Sequence, residues 1–330
     1  MRVSVVIPVR DGGAVFQDCL AGVRAQTWPD FEFIVVDDGS QDGSGDAAAR
    51  AGARVLRQRE PQGPAQARNA GAAISSGELL VFLDADTVLQ PDALERIRQR
   101  FLAEPDLDAL SGRYDDEPAG AGIVSHYRNL LHAYTHLRAA GEVASFWAGC
   151  GAVRRTAFAA AGGFDTRFGP PSVEDIELGM RLAQEGRRLV IDPGVQVKHL
   201  KRWTLWPMIK TDVWYRAVPW AHLLMNARRA PAALNLRWSQ RASVAAMLLA
   251  PVAGFAHVGL PLALLALHAG LNWKFFRYLL EVKGPWFALC CWPLQALHHF
   301  YSGLALPLAL MTYPWRRLAR PERPLHEVAP

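Results

Sequence analysis

The chain has 330 residues, enough for one large domain with an appendage or for two ordinary domains. Charged residues make up 20% and hydrophobic residues 51%, but charge is spread over the first part and nearly absent from long blocks after Arg241, so a soluble part and an apolar part are expected. The net charge of +5 is modest, and the arginines lie among acids except in the tail at Arg316, Arg317, Arg320 and Arg323, which argues against nucleic acid as a partner.

Cys19, Cys150, Cys290 and Cys291 fit neither a zinc site nor a disulfide framework and read as reduced, structural thiols. The chain opens directly on an apolar strand, Val3 to Ile7, with no basic segment followed by an apolar core and a cleavage site, so the first domain is expected to stay in the cytosol. Through about residue 110, β-branched runs alternate with amphipathic stretches. Strands are expected at 3–7, 32–36, 53–57 and 79–83, and helices at 14–26, 43–51, 64–75 and 91–102. That alternation predicts βαβ units and a mostly parallel sheet.

Polar chemistry collects at the strand ends. Pro8 is expected to stop the first strand, Asp37-Asp38-Gly39-Ser40 follows the second, and Asp84-Ala85-Asp86 follows the apolar run Leu79 to Leu83. Ligands of open α/β sheets gather at such carboxyl ends. Two aspartates one residue apart on an extended chain point the same way and could serve one oxygen-liking cation, Mg²⁺ or Mn²⁺; alternatively Asp86 caps the helix starting near Pro91. Asp38 could face a base N–H or a ribose hydroxyl, while Asp37 reads as a turn residue. Arg68, on the third helix, could pair with a nucleotide or with Asp84, or lie on the surface.

Residues 104–145 contain a helical pattern with Tyr127, Leu130, Leu131 and Tyr134, either an acceptor-side insertion or an amphipathic helix near a membrane. Gly149 and Gly151, after Phe146 and Trp147, permit close approach of a ligand to the backbone, or simply a tight turn. Ser172 with Asp175 fits a capping box, yet an acid in the first turn of a helix at a cleft could also act as general base for a hydroxyl. His199 could complete a metal site, Lys201 or Arg202 could neutralise a diphosphate, and Trp203 could stack on a sugar; interfacial Arg and Trp beside a membrane need no such role. The blocks 242–273 and 284–315 carry no formal charge and are long enough to span a bilayer, as a hairpin or as re-entrant helices around Pro251, Pro261, Pro293 and Pro307.

Residues 1 to about 205 resemble a family 2 glycosyltransferase of the GT-A fold. The resemblance rests on Val5-Val6-Ile7-Pro8, Val35-Val36-Asp37-Asp38-Gly39-Ser40, Ala67-Arg68-Asn69-Ala70-Gly71, the DxD motif Asp84-Ala85-Asp86, the ED pair Glu174-Asp175 and His199-Leu200-Lys201-Arg202-Trp203, which is similar to the QxxRW motif of processive synthases. It implies donor contacts from Pro8, Val9, Asp38, Arg68, Asp84 and Arg202. It further implies a divalent cation, Mn²⁺ or Mg²⁺, on Asp86, Asp175 as the inverting general base, and Glu174, Trp203 and Gly149 on the acceptor side; His199, where the family pattern has Gln, departs from it and opens a His-assisted metal site. The implied donor is a nucleotide-diphospho-sugar, a UDP-sugar foremost, and the acceptor a lipid-linked or membrane-associated glycan. His in place of Gln at 199 argues for single transfer over polymerisation. A polyprenyl-phosphate glycosyltransferase and a non-catalytic nucleotide-sugar-binding scaffold are the alternatives. The expected organisation is a catalytic domain over 1–205, an amphipathic interfacial linker over 206–241, membrane helices over 242–315 and a basic cytosolic tail over 316–330, at the cytosolic membrane face.

Overall fold

The computed structural model describes residues 1–226 and 237–318. Its first half alternates β1 (Val3–Val9), α1 (Gly13–Arg24), β2 (Phe31–Asp37), α2 (Ser44–Arg50), β3 (Arg54–Arg57), α3 (Pro64–Ile74) and β4 (Leu79–Leu83). β-branched runs set these strands and Gly, Pro and Asp punctuate them, so the observed bounds lie close to the expected ones. β1 does not stop at Pro8; it pairs through Val9 with Asp37. Val9 accepts a bond on the β2 side from Asp38 N, so Pro8 faces the β4 side, where the β1/β4 ladder has already ended at Val6 and Phe82. Its missing N–H breaks no ladder bond there.

The chain continues through β5 (Thr87–Leu89), α4 (Ala93–Ala103), β6 (Leu107–Tyr114), α5 (Ile123–Arg138), β7 (Gly141–Glu142), β8 (Cys150–Arg154), α6 (Arg155–Ala160), α7 (Glu174–Gln184) and β9 (Arg188–His199). The sheet order is β3-β2-β1-β4-β8-β6-β9-β5, with β7 on β9. The expected mostly parallel sheet is corrected to a mixed one: β3, β2, β1 and β4 run parallel, but β8 enters antiparallel between β4 and β6, and β5 pairs antiparallel with β9. All five residues of β4 are shut off from solvent, as a central strand covered on both faces requires.

Beyond β9 lies a helical layer: α8 (Leu205–Lys210), a π-helical segment (Thr211–Ala217), α9 (Val218–Asn226), α10 (Trp238–Ala253), α11 (Gly259–Leu271) and α12 (Trp273–Leu318), the last broken at Gly284 by φ 82° and ψ 173°. Gly284 supplies the left-handed backbone that lets α12 bend. The expected spanning helices are not found. Among the described residues no helix is long and apolar enough to cross a membrane. The first charge-free block is split, after Pro251, into a 16-residue and a 13-residue helix. The second is interrupted by Gln295, His298 and His299, which turn inward to hydrogen-bond partners. Both blocks nonetheless leave large apolar side chains in solvent, Phe255 at 94% and Val258 at 79% exposed above all. The 206–241 segment packs through Met208, Val213 and Val218, and its Asp212 is buried, so its first part is a wall of the molecule as well as an amphipathic connector. Residues 227–236 and the basic tail from residue 319 onward lie outside the described residues. All four cysteines are free.

Candidate active site

The carboxyl ends of β1, β2 and β4 open on a cleft of about 1690 Å³ that continues under α5 to the helical layer. The DxD aspartates stand at its centre because β4 ends there and β5 turns away at once. Thr87 pairs with His199 across the β5/β9 ladder, and Leu200 N donates to the Asp86 carbonyl at 2.9 Å. That register brings His199 from far along the chain to Asp86, with Nε2 3.5 Å from Oδ2.

His199 is held on its other side. Its Nδ1 lies 2.5 Å from Asn129 Oδ1 on α5, and its ring stacks on Tyr114 with centroids 4.4 Å apart and planes 10° apart. The amide oxygen faces Nδ1, and Nε2 faces the Asp86 carboxylate. Such an approach needs a positive charge between the two groups, a second ring proton or a cation. Burial pushes the Asp86 pKa upward, but the hydrogen bond and charge of His199, with Lys201 beyond, outweigh it and hold the group below its ordinary value. Asp86 and His199 are the residues here that could hold a divalent cation, as an oxygen and a nitrogen ligand on one side of it. Among the described residues no group of three metal-binding side chains converges, so the protein alone offers this pair and no closed cage.

Arg68 is buried at the edge of the cleft and paired with two acids. Its Nη2 donates to Asp84 Oδ1 at 2.7 Å and its Nη1 to Glu174 Oε1 at 2.9 Å. It thus ties the DxD strand end to the start of α7 and orients both acids. Burial and the neighbouring Asp86 raise the Asp84 pKa against the pull of Arg68. Glu174, 4% exposed, also accepts from Ser172 N at 2.8 Å and is a structural partner more than an acceptor contact.

The capping-box reading of Asp175 is corrected. α7 starts after Val173 with no side-chain cap, and the Ser172 hydroxyl donates instead to the Tyr215 carbonyl at 2.9 Å. The Asp175 carboxylate turns into the cleft, where it accepts from Ala148 N at 3.1 Å and from Ile176 N at 2.8 Å. Burial, then the charge of Glu174, raises its pKa to about 7, with Arg68 and the two amides opposing. A carboxylate with that value can take a proton near neutral pH.

Pro8, Val9 and Asp38 line the cleft at the carboxyl ends of β1 and β2. Both Asp38 oxygens hold the opposite loop, accepting from Gln62 N at 2.7 Å and Gly63 N at 2.9 Å, so this acid shapes the pocket as well as lining it. Asp37 does what a turn residue does, accepting from Ser40 N at 2.9 Å. Trp203 lines the cleft; Arg202 is exposed outside it, and Lys201 is the cation that faces in, 4.5 Å above the Trp203 ring. Gly149 approaches no ligand space: a Cβ there would stand 2.6 Å from the Trp147 indole, which folds over it to form part of the cleft. Sequence reasoning missed Asn129, His132 and His136, polar residues that share one face of α5 and flank the site with Trp147. Their spacing along the helix was the available signal.

Residues 4–162 match the family model described as Glycosyl transferase family 2. This domain belongs to that family. Glycosyltransferase GlyG of Streptococcus pneumoniae is 33% identical over 117 residues, covering 34% of this chain and 38% of that protein. The pre-mycofactocin glycosyltransferase of Mycobacterium tuberculosis is 30% identical over 223 residues, covering 64% and 46%. The chain thus matches less than half the length of these relatives. A mannosyltransferase from Pyrobaculum calidifontis, solved with GDP-Man and Mn²⁺, superposes with a TM-score of 0.57 at 19% identity over 96% of this chain and 88% of that one. That likeness is of fold, and it extends past the glycosyltransferase domain into the C-terminal helices.

Proposed function

We propose that the protein transfers a sugar from a nucleotide-diphospho-sugar to a hydroxyl of a lipid-linked or membrane-associated acceptor, with inversion, at the cytosolic face of a membrane. The observation that carries this reading is the arrangement around one cleft: Asp84, Asp86 and His199 at the strand ends, and Asp175 facing them from α7 with its pKa raised to about 7. Asp175 takes the acceptor proton as the oxygen attacks the anomeric carbon from the face opposite the leaving group. Asp86 and His199 would hold a divalent cation, whose charge would supply electrostatic stabilisation of the leaving nucleoside diphosphate, and Lys201 adds a positive charge of its own at the cleft. Arg68 keeps Asp84 in place and takes no direct part. The exposed apolar side chains of α10 and α11 support a membrane-associated acceptor.

A panel of nucleotide-sugars tested for thermal stabilisation of the full chain, with and without Mn²⁺, identifies the donor by mass action. A UDP-sugar is the expected ligand, with GDP-mannose, which the Pyrobaculum protein binds, as the competitor. Donor hydrolysis by the ligand so found should depend on divalent metal and fail in Asp86→Ala; undiminished turnover in the folded variant overturns the metal assignment. If the attacking atom were instead a phosphate oxygen, already anionic, Asp175→Asn would be nearly silent.

A further inference from the structure

The far end of the cleft is lined by four cations, Arg138, Arg237, Arg241 and Lys274. Arginines elsewhere in the molecule that are shielded from solvent meet acids: Arg68 meets Asp84 and Glu174, Arg128 meets Asp212, Arg181 meets Glu177. Among the described residues none of the four at the mouth has a carboxylate within ion-pair distance. They come together because three elements converge there. Arg237 Nη2 donates to the Arg138 carbonyl at 3.0 Å, which joins the start of α10 to the end of α5. Arg241 lies one turn further along α10. Asn272 Nδ2 donates to Ser243 Oγ at 2.9 Å, which draws the α11/α12 junction, and with it Lys274, against the same helix. A concave site with several cations and no counter-charge suits a phosphate.

The surface beside this mouth is apolar. Along the α10–α11 hairpin, Leu249, Val252, Phe255, Val258 and Leu262 are 57%, 65%, 94%, 79% and 66% exposed. At its base, next to the cations, Trp238 is 79% and Trp273 58% exposed. An apolar tip above a base of Trp, Arg and Lys is the gradient found across a membrane–water interface. At about 1.5 Å per residue neither helix equals the roughly 30 Å of a hydrocarbon core, so the hairpin enters from one side without crossing.

We propose that Arg138, Arg237, Arg241 and Lys274 bind the phosphate of a lipid-linked acceptor, whose chain leaves along the membrane-seated α10–α11 hairpin and whose sugar-accepting end reaches Asp175. This rests on the transferase reading above and assigns the part of the acceptor that the cleft holds. Cationic collar and apolar hairpin together demand an amphiphile: free phosphate engages the first alone, and an uncharged apolar partner the second alone.

The test is flotation of the full chain with phosphatidylcholine vesicles doped with farnesyl phosphate, with farnesol, with phosphatidylglycerol at equal charge, or with nothing. Farnesyl phosphate should raise vesicle-bound protein about tenfold over the other three, Arg237→Ala/Arg241→Ala should abolish that gain, and Arg241→Lys should keep most of it. Unchanged melting temperatures show that the variants are folded. Equal binding to farnesol or phosphatidylglycerol, full binding by the double variant, or complete displacement by millimolar inorganic phosphate overturns the proposal. Donor hydrolysis by the same wild-type preparation is read separately. Its absence beside charge-dependent farnesyl phosphate binding sinks the transferase reading and leaves the lipid-phosphate site; turnover beside charge-independent binding does the reverse.

Discussion

Asp175 keeps its proton until about pH 7 because burial and Glu174 disfavour the charged form more than Arg68 and two backbone amides favour it. The sign of the consequence is definite. Below that value the carboxyl is protonated and cannot accept the acceptor's proton, so the transfer rate should fall about tenfold per pH unit from 7 towards 5 and level off above 8. Asp175→Asn should lower kcat by about 100-fold or more at pH 8 while leaving donor affinity in place, and it should flatten the profile. A variant that keeps the wild-type acid limb assigns that limb to another group. Asn129 poses a different residue-scale question, since it is buried behind His199 and would act through it. Outer partners that fix a ligating imidazole typically carry 10–100-fold in metal affinity. Asn129→Leu should therefore weaken Mn²⁺ binding, measured by calorimetry in the presence of nucleoside diphosphate, by about that factor. Unchanged Mn²⁺ affinity, with donor-free stability also unchanged, removes His199 from the metal site.

At the scale of elements, α3, β4 and α7 are fastened at one buried point by Arg68. The side chains of Arg68 and Glu174 are only 6% and 5% exposed. Removing the cation leaves the buried Glu174 and the partly exposed Asp84 without their counter-charge, so Arg68→Met should cost about 2–4 kcal/mol in urea unfolding. Adding Glu174→Gln and Asp84→Asn should restore part of that loss, because the cost lies in the uncompensated charges. The local elements here were legible in the sequence: β-branched runs and their Gly, Pro and Asp punctuation placed β1 to β4 and α1 to α4 closely. The antiparallel entry of β8 was not, since strand direction depends on where a distant segment inserts and leaves no mark on Cys150–Arg154 itself. Lys201 against Arg202 was decidable, because alternation along an extended chain puts residue 201, not 202, on the side of His199. The Arg68–Glu174 bond spans 106 positions, and only the fold reveals it.

At the scale of the whole molecule, a buried polar joint helps to couple the glycosyltransferase domain to the helical layer. Arg128 on α5 donates to Asp212 Oδ1 at 2.7 Å, Tyr301 on α12 donates to Asp212 Oδ2 at 2.7 Å, and Tyr127 donates to Gln295 at 2.7 Å. Burial pushes the Asp212 pKa up, but Arg128, His298 and Tyr301 outweigh it and hold it well below the ordinary carboxylate value. A depressed carboxylate contributes stability above its unfolded value, near pH 4, and loses it only as the pH falls through the lower folded value. The joint should thus be intact across neutral pH and fail in strong acid. Arg128, Asp212 and Gln295 of this joint also line the cleft, so on the proposed mechanism its integrity bears on how an acceptor held at the helices meets Asp175. Asp212→Ala leaves Arg128 buried and unpaired, and the expected cost is about 3–5 kcal/mol, expressed where the two parts meet. Hydrogen exchange should rise in α5, in the π-helical segment and in the 295–305 stretch of α12 while β1 to β4 stay protected. Transfer to the acceptor should fall more than donor hydrolysis does. Uniform loss of protection across β1 to β4 would instead mean that the two parts unfold as one cooperative body, with the joint serving stability alone.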